Sequence, residues 1–161
     1  MRVLAFDASS TTGWASFASA RSIPVLGDFD LTTSTNYGAV ALDMQRHVLA
    51  LIDRHRPEVV AFEAPIFLPR DRWHTRRLLT CLVVVIELVA ACKGLRCIEV
   101  DPSTVKAALC GPRKKGEPAS KNDMVVAAVN MGWSVANHHQ ADACGVAVGA
   151  YAHLARSRAW A

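Results

Sequence analysis

The sequence lacks cysteines spaced for a metal site or a disulfide framework. There are five, an odd number, and no two of them have CxxC spacing. They are Cys81, Cys92, Cys97, Cys110 and Cys144. Neither a zinc site nor a set of structural disulfides is therefore expected. We expect free thiols in a reducing compartment, the cytoplasm.

The sequence also lacks a long apolar run. The strongest one, Leu78 to Cys92, is interrupted by Glu87. It is shorter than the ~20 residues that a membrane-spanning helix needs, so it predicts a buried helix. Asp7 interrupts the short apolar start of the chain, and no signal peptide is expected. We therefore expect no membrane association, and we find neither internal repeats nor a linker.

The bulk composition favours one folded domain covering residues 1–161. The chain is 52% hydrophobic and 20% charged, which argues against a disordered or fibrous protein. Its formal net charge is +4 and its pI is near 9.0, a mild bias toward anionic partners, with nucleic acid first among them. Charge alone is explained better by an ordinary solvated basic surface.

The apolar pattern predicts a mixed α/β domain of five strands and several helices. Strands are expected at residues 2–7, 14–18, 25–31, 58–63 and 96–100. Helices are expected at residues 36–56, 71–93 and 101–110, from 120 onward, and at about 139–156. Three strands come first, and β-α-β units fill the second half.

Two acids, Asp7 and Glu63, stand at the ends of apolar strands. Burying a carboxylate costs several kcal/mol unless it is paired or bound to metal, so stability does not explain these positions. If the two strands are parallel neighbours, both acids emerge at the carboxyl edge of the sheet, where α/β proteins form ligand sites. Taken singly, each is better explained as an ordinary turn residue.

A second pair, His139 and Asp142, lies three residues apart at the start of the last helix. Residues at this spacing share a helix face. Because the rest of the segment is small and apolar, the helix should pack closely, and an inward acid and imidazole suggest ligands. The alternative is that Asp142 interacts with the helix dipole and His139 lies on the surface.

Taken together, these residues resemble the metal cluster of RNase H-like nucleases, and their order resembles RuvC-type Holliday junction resolvases. Four segments carry the resemblance over nearly the whole chain. They are Phe6-Asp7-Ala-Ser-Ser-Thr-Thr-Gly13-Trp14-Ala15, Val60-Ala-Phe-Glu63, Val105-Lys106 with Gly111 and Lys121, and His139-Gln-Ala-Asp142-Ala143. Each is weak alone, and four in order with compatible spacing are more specific.

The sequence departs from that pattern at three places. Ala8-Ser9 replaces the usual Pro-Gly, and His139 stands where many members have Asp. The aromatic residue that acts at the junction centre in better-known members matches Ile66 by offset, and Phe67 lies one position further on. The pattern is closer to phage or mobile-element relatives, which implies the cytoplasm of a bacterial or phage-infected cell.

The resemblance implies a five-stranded mixed sheet flanked by helices, an RNase H-like fold. It also implies a homodimer that resolves four-way DNA junctions by paired symmetric nicks. Two divalent ions would serve phosphodiester hydrolysis, with Mg²⁺ preferred by carboxylates and Mn²⁺ accepted through an imidazole. Asp7 would bridge the ions, Glu63 and Asp142 would complete the site, and His139 would bind metal or position the water.

Basic and aromatic residues are the candidates for DNA contact. Lys106 and Lys121 are expected near the scissile phosphate, with Lys121 contributing to catalysis, although solvated surface lysines are an equal alternative. Further phosphate or junction contacts are expected from Arg72, Arg76, Arg113, Lys114, Lys115 and Phe67. Trp73 could stack on an unpaired base or simply pack.

The same sequence pattern fits other functions as well. The motif order also fits other nucleases of this fold, such as a YqgF-like RNA-processing enzyme, an RNase H or a flap or fork nuclease. An actin-like ATPase module also opens with a strand, an Asp and a Gly/Thr/Ser turn, but 161 residues are too few for its two lobes. A catalytically idle DNA-binding scaffold is disfavoured because all four candidate ligands are retained.

Overall fold

A computed structural model describes residues 1–111 and 119–158 of the chain. The strands are β1 (Val3–Asp7), β2 (Thr11–Phe17), β3 (Val25–Asp30), β4 (Val59–Glu63) and β5 (Arg96–Val100). The helices are α1 (Tyr37–His55), α2 (Trp73–Cys92), α3 (Pro102–Cys110), α4 (Lys121–Asn130) and α5 (His138–Arg158). The five-stranded mixed sheet flanked by helices is as predicted.

The sheet has the order β3-β2-β1-β4-β5. The first three strands form an antiparallel meander, and β1, β4 and β5 run parallel. β1 is the central strand of the whole sheet, and β4 lies parallel beside it. This arrangement confirms the expectation that the strands ending in Asp7 and Glu63 are parallel neighbours.

The two faces of the sheet pack against different helices. Alternate residues of β1 point to opposite sides, so Val3 and Ala5 join one buried cluster, and Leu4 and Phe6 join the other. The first cluster includes buried residues of α3, α4 and α5, and the second those of α1 and α2. Asp7 continues the row of Val3 and Ala5, so it lies on the face that α5 covers.

Helix α5 approaches the sheet closely because its inward side is built from small residues. It carries Ala141, Ala143, Ala147 and Ala150 fully buried. A side chain added at Gly149 would come within 2.7 Å of Val100 Cγ1 on β5, closer than real atoms approach. The small residues therefore allow the close packing that the sequence predicted.

The turn between β1 and β2 is shorter than predicted. The segment Thr11 to Gly13, expected in the turn, belongs to β2. The hydroxyl of Ser9 donates to the Thr11 carbonyl, and the hydroxyl of Thr12 donates to the Ser9 carbonyl. These local hydrogen bonds tighten the turn, so the chain re-enters the sheet three residues earlier than its apolar pattern indicated.

The helix ends follow the predicted local signals. The Asp101 side chain accepts from the Ser103 amide and Pro102 opens α3, while Ser120 and Asp123 form a reciprocal capping box at α4. Within the two described stretches, no helix combines the length and apolar character needed to cross a bilayer.

Candidate active site

Asp7 and Glu63 lie side by side at the carboxyl edge of the sheet. Each is the last residue of its strand, and the register pairs Phe6 with Phe62 immediately before them. Both side chains therefore leave neighbouring parallel strands on the same face. A cavity of about 220 Å³ adjoins them. Its lining residues are Asp7, Ala8, Ser9, Glu63, Ala64, Pro65, Ile66, Leu79 and Val83.

The first turns of α5 bring His139 and Asp142 to the same place. The Nδ1 atom of His139 lies 3.1 Å from Oδ2 of Asp7, and both side chains are largely covered. Asp142 is close enough to Asp7 and Glu63 to raise the pKa of both. The alternative in which His139 is a surface residue and Asp142 only caps the helix is therefore wrong.

Burial and mutual repulsion disfavour the charged forms of the three carboxylates. Burial, followed by the negative charge of Asp142, raises the pKa of Asp7 to about 7. Burial, then the charges of Asp7 and Asp142, raises the pKa of Glu63 to about 7. The pKa of Asp142 is raised as well, chiefly by burial. Such a cluster favours a bound cation, which would relieve the repulsion.

Two lysines from other helices oppose this effect. Lys106 on α3 lowers the pKa of Glu63, and Lys121 at the start of α4 lowers the pKa of Asp7. Both also lower that of Asp142. Because Lys121 is exposed, its ammonium group is accessible to a ligand that enters the site. The structure thus brings both sequence-predicted lysines to the edge of the acidic cluster.

The donor set suits a hard divalent cation, although the ligands are not yet gathered around one point. Three carboxylates and an imidazole offer the oxygen and nitrogen donors that Mg²⁺ or Mn²⁺ accepts. Among the described residues, no group of three or more His, Cys, Asp or Glu side chains is arranged to hold a metal ion. An ion would have to draw these side chains together, so the ligand roles of Asp7, Glu63, His139 and Asp142 stay predictions.

The loop after β4 presents the other predicted DNA-contact residues on the outside of the site. Phe67 is exposed, and so is Arg72, the N-cap residue of α2. A guanidinium nitrogen of Arg76 donates to the Leu68 carbonyl at 2.7 Å, so this side chain supports its own loop. Trp73 is 74% exposed, which excludes the packing alternative for its ring. Arg113, Lys114 and Lys115 lie outside the described residues.

Two residues that hold the start of α5 were not predicted from the sequence. The buried side chain of Gln140 donates a hydrogen bond to Asp28 on β3. Gln140 lies between His139 and Asp142 in the motif, where a long polar residue on a helix of small apolar residues could have been noticed. No pattern in β3 indicated that Asp28 faces α5, because the partner is over a hundred residues away.

The described architecture is that of an RNase H-like fold, and solved structures of RuvC share it. The Thermus thermophilus RuvC structure matches with a TM-score of 0.75 and 21% identity over 98% of this chain and 96% of that one. T. thermophilus RuvC in complex with Holliday junction substrate matches with a TM-score of 0.76 and 20% identity over the same shares.

A more distant similarity extends to yeast. The mitochondrial Holliday junction resolvase Ydc2 matches with a TM-score of 0.65 and 13% identity over 92% of this chain and 76% of that one. No protein-family model matches the sequence, and neither does any curated protein. The structural likeness confirms the predicted fold, and it confirms the resemblance to RuvC in the fold.

Proposed function

We propose that this chain is a divalent-metal-dependent endonuclease that resolves four-way DNA junctions. The observation that carries the proposal is the meeting of Asp7, Glu63, His139 and Asp142 at one sheet edge of a RuvC-like fold. These residues come from three separate parts of the chain. We further propose that residues 1–161 form a single nuclease domain that works in the cytoplasm.

The candidate metal ligands are the three carboxylates and the imidazole. When bound, two divalent ions, Mg²⁺ or Mn²⁺, would supply Lewis acidity for water activation and offset the charge on the leaving oxygen. The protein groups have two tasks. The carboxylates form a negatively charged site, which repels a DNA phosphate unless a cation is bound. His139 lies beside Asp7, where it orients that carboxylate or positions the attacking water.

The lysines supply the positive charge that a phosphodiester needs. Lys106 and Lys121 act on the carboxylates from two different helices, so a scissile phosphate at the acidic cluster would lie within reach of both. We assign Lys121 to the negative charge that develops during cleavage, because it acts on Asp7 and Asp142 and is exposed. Arg72 and Phe67 lie further out, where flanking DNA would pass.

A four-way junction has approximate two-fold symmetry, and its resolution takes two symmetrically placed nicks. One chain has one acidic cluster, so a two-fold dimer would supply the second, and such dimers are the commonest oligomers. T. thermophilus RuvC in complex with Holliday junction substrate has the same fold. We therefore propose branched DNA as the partner and a homodimer as the active form.

The exposed side of α2 is our candidate dimer surface. Leu82 and Ile86 are fully buried, but Val84 is 50% and Leu88 54% exposed. Leu42 of the neighbouring α1 is also 54% exposed. The buried helix predicted from the run Leu78 to Cys92 is therefore buried on one side only. An apolar strip shared by two helices is the kind of surface that a second copy covers.

Cleavage of defined substrates tests the proposal. We expect the wild-type protein with Mg²⁺ or Mn²⁺ to cut a mobile four-way junction at paired symmetric positions. Duplex, fork and RNA–DNA hybrid substrates should be cut more slowly, and the Asp7→Asn variant should bind the junction without cutting it. Preferential cleavage of the hybrid would instead indicate an RNase H or an RNA-processing enzyme.

Light scattering and nick mapping test the dimer separately. A dimer should make two nicks within the lifetime of one complex on a supercoiled cruciform. A strict monomer that nicks a junction once and stops would refute the resolvase and leave the metal-dependent nuclease intact.

A further inference from the structure

The start of α5 lies across one row of residues that runs through three strands. Asp7 on β1 is paired in register with Gly13 on β2, and Gly13 is paired with Asp28 on β3. Directly paired residues point to the same face of a sheet. Asp7, Gly13 and Asp28 therefore form a row on the face that α5 covers.

Two consecutive residues of α5 contact all three members of this row. The imidazole of His139 lies against the Asp7 carboxylate, and its backbone lies on Gly13. A Cβ atom at Gly13 would overlap the His139 carbonyl group, so only glycine permits this approach. The side chain of the next residue, Gln140, reaches Asp28.

Gln140 also holds the segment that leads into the helix. Its side-chain Oε1 accepts from the Ala136 backbone N–H at 2.9 Å, and its backbone N–H donates to Oδ1 of Asn137 at 3.0 Å. Its side chain is only 7% exposed, so these hydrogen bonds form with little competition from water. Gln140 thereby connects the preceding loop, the first turn of α5 and β3.

We infer that Gly13, Asp28 and Gln140 are positioning residues that fix the imidazole of His139 and the carboxylate of Asp142 relative to Asp7. Contacts at three points along one row set the depth and the rotation of the first turn of α5. Asp142 follows in the same helix, so its direction is set by the same contacts. This inference rests on the proposed function, because it assigns these residues to the same active site.

Stability alone does not explain the Asp28–Gln140 pair. Replacing both partners of a buried hydrogen bond with apolar groups of similar shape is often nearly neutral. Many of the other buried residues of α5 are small and apolar, among them Ala143, Ala147 and Ala150. What a hydrogen bond to a carboxylate adds is a preferred direction, which an apolar contact does not give.

The test compares four variants, one of them a matched control. Asp28→Ala and Gln140→Ala each remove the hydrogen bond, and Asp28→Asn keeps an acceptor oxygen without the charge. Asp30→Ala is the control, because Asp30 lies two residues further along the same strand and its carboxylate accepts from Thr11, not from α5. A Gly13→Ala protein is a further probe where it folds.

Kinetics with the four-way junction should separate positioning from folding. We expect kcat to fall about 10- to 100-fold in Asp28→Ala and Gln140→Ala, the usual effect of losing a partner that orients a ligand, with KM unchanged. Asp28→Asn should recover most of the rate, and Asp30→Ala should match the wild type. A loss in Asp28→Asn as large as in Asp28→Ala would overturn the inference, because it would assign the role to the charge.

A second measurement does not depend on cleavage. In the metal-free protein, NMR should show changed His139 imidazole nitrogen shifts and faster amide exchange at Ala141 to Ala143 in the two alanine variants. Asp28→Asn and Asp30→Ala should resemble the wild type. If the wild type cuts no DNA, the proposed function fails while this arm still decides the inference. Unchanged His139 shifts in both alanine variants would overturn it.

Discussion

Two of the helices that adjoin the active site, α5 and α2, begin in opposite ways. The first turns of α5 are held to the sheet by His139 and Gln140, whose side chains contact two different strands. Helix α2 begins with Trp73 at 74% exposure, and its N-cap residue Arg72 makes no capping hydrogen bond with its side chain. One helix start is fixed by the sheet, and the other faces the solvent.

This difference separates two tasks. Bond cleavage requires reacting groups held within a fraction of an ångström, which the α5 side provides through close packing and directed hydrogen bonds. Recognition of a large branched substrate, or of a second protein copy, requires accessible apolar and basic groups, which the α2 side provides. We therefore expect substitutions on the α5 side to affect the rate, and substitutions on the α2 side to affect binding or assembly.

The largest effect is expected from the acids of the sheet edge. Asp7→Asn, Glu63→Gln or Asp142→Asn should lower the cleavage rate by more than about 100-fold. Substituting a residue that only hydrogen-bonds to a metal ligand already lowers activity about 10- to 100-fold. Junction binding in a gel-shift assay should change little, because the basic groups remain. Wild-type-like cleavage by Asp7→Asn would remove the basis for the proposed site.

Alanine substitutions of two leucines six residues apart on α2 should differ sharply in their effect on stability. Leu82 is fully buried, so Leu82→Ala should lower the free energy of unfolding by about 2–5 kcal/mol. Leu88 is 54% exposed, and Leu88→Ala should change the stability of one chain by less than about 0.5 kcal/mol. Urea titrations of the two variants check this.

The same helix offers a test of assembly. Leu88→Asp should leave the fold intact but shift light scattering from dimer to monomer, because a charge would be buried at the proposed interface. A Leu88→Asp protein that remains a dimer would place the interface elsewhere.

The sequence predicted the fold well because its main signals are local. The apolar strands ending in Asp7 and Glu63, Pro102 after Asp101, and the Ser120 capping box each act within a few residues. For the site, the sequence indicated which residues come together but not the contacts that hold them in place. The Asp28–Gln140 hydrogen bond joins distant segments, and the support that Arg76 gives its own loop depends on a loop conformation that no periodicity encodes.

The raised carboxyl pKa values predict an unusual pH dependence for the metal-free protein. The pKa values of Asp7 and Glu63 are raised from 3.8 and 4.5 to about 7, so the folded state holds protons that the unfolded state releases. Their contribution to stability is present below about pH 4 and is lost as the pH rises toward 7. Lowering the pH from 8 to 5 should therefore raise the free energy of unfolding by at least about 1 kcal/mol, which corresponds to roughly 2–4 °C in Tm.

Two comparisons isolate this effect. Asp7→Asn should lose part of the pH dependence, whereas the opposing contributions of His55 and His138, whose pKa values are lowered by burial, are the same in both proteins. Millimolar Mg²⁺ or Mn²⁺ should raise the wild-type Tm at pH 8 by mass action and raise it less in Asp7→Asn. A wild-type Tm that changes neither with added metal nor with pH would contradict a cluster of buried carboxylates that binds metal.

The smallest effect is expected from the basic residues, and it divides them into two groups. Lys121 acts on Asp7 and Asp142, so Lys121→Ala should reduce the cleavage rate while junction affinity changes little. Lys114 and Lys115 belong to the basic sequence segment Arg113-Lys114-Lys115. Replacing both with Ala should weaken binding to every DNA and reduce the slope of log affinity against log salt by about 0.9 for each lost phosphate contact. Salt titrations with the junction and with plain duplex DNA measure both the affinity and its salt dependence.

A phosphate contact that is made equally in the ground state and in the transition state alters binding but not kcat. Only the Lys121→Ala substitution should therefore lower kcat. If the two variants change kcat and the salt slope in the same proportions, the division between catalytic and DNA-binding lysines is wrong.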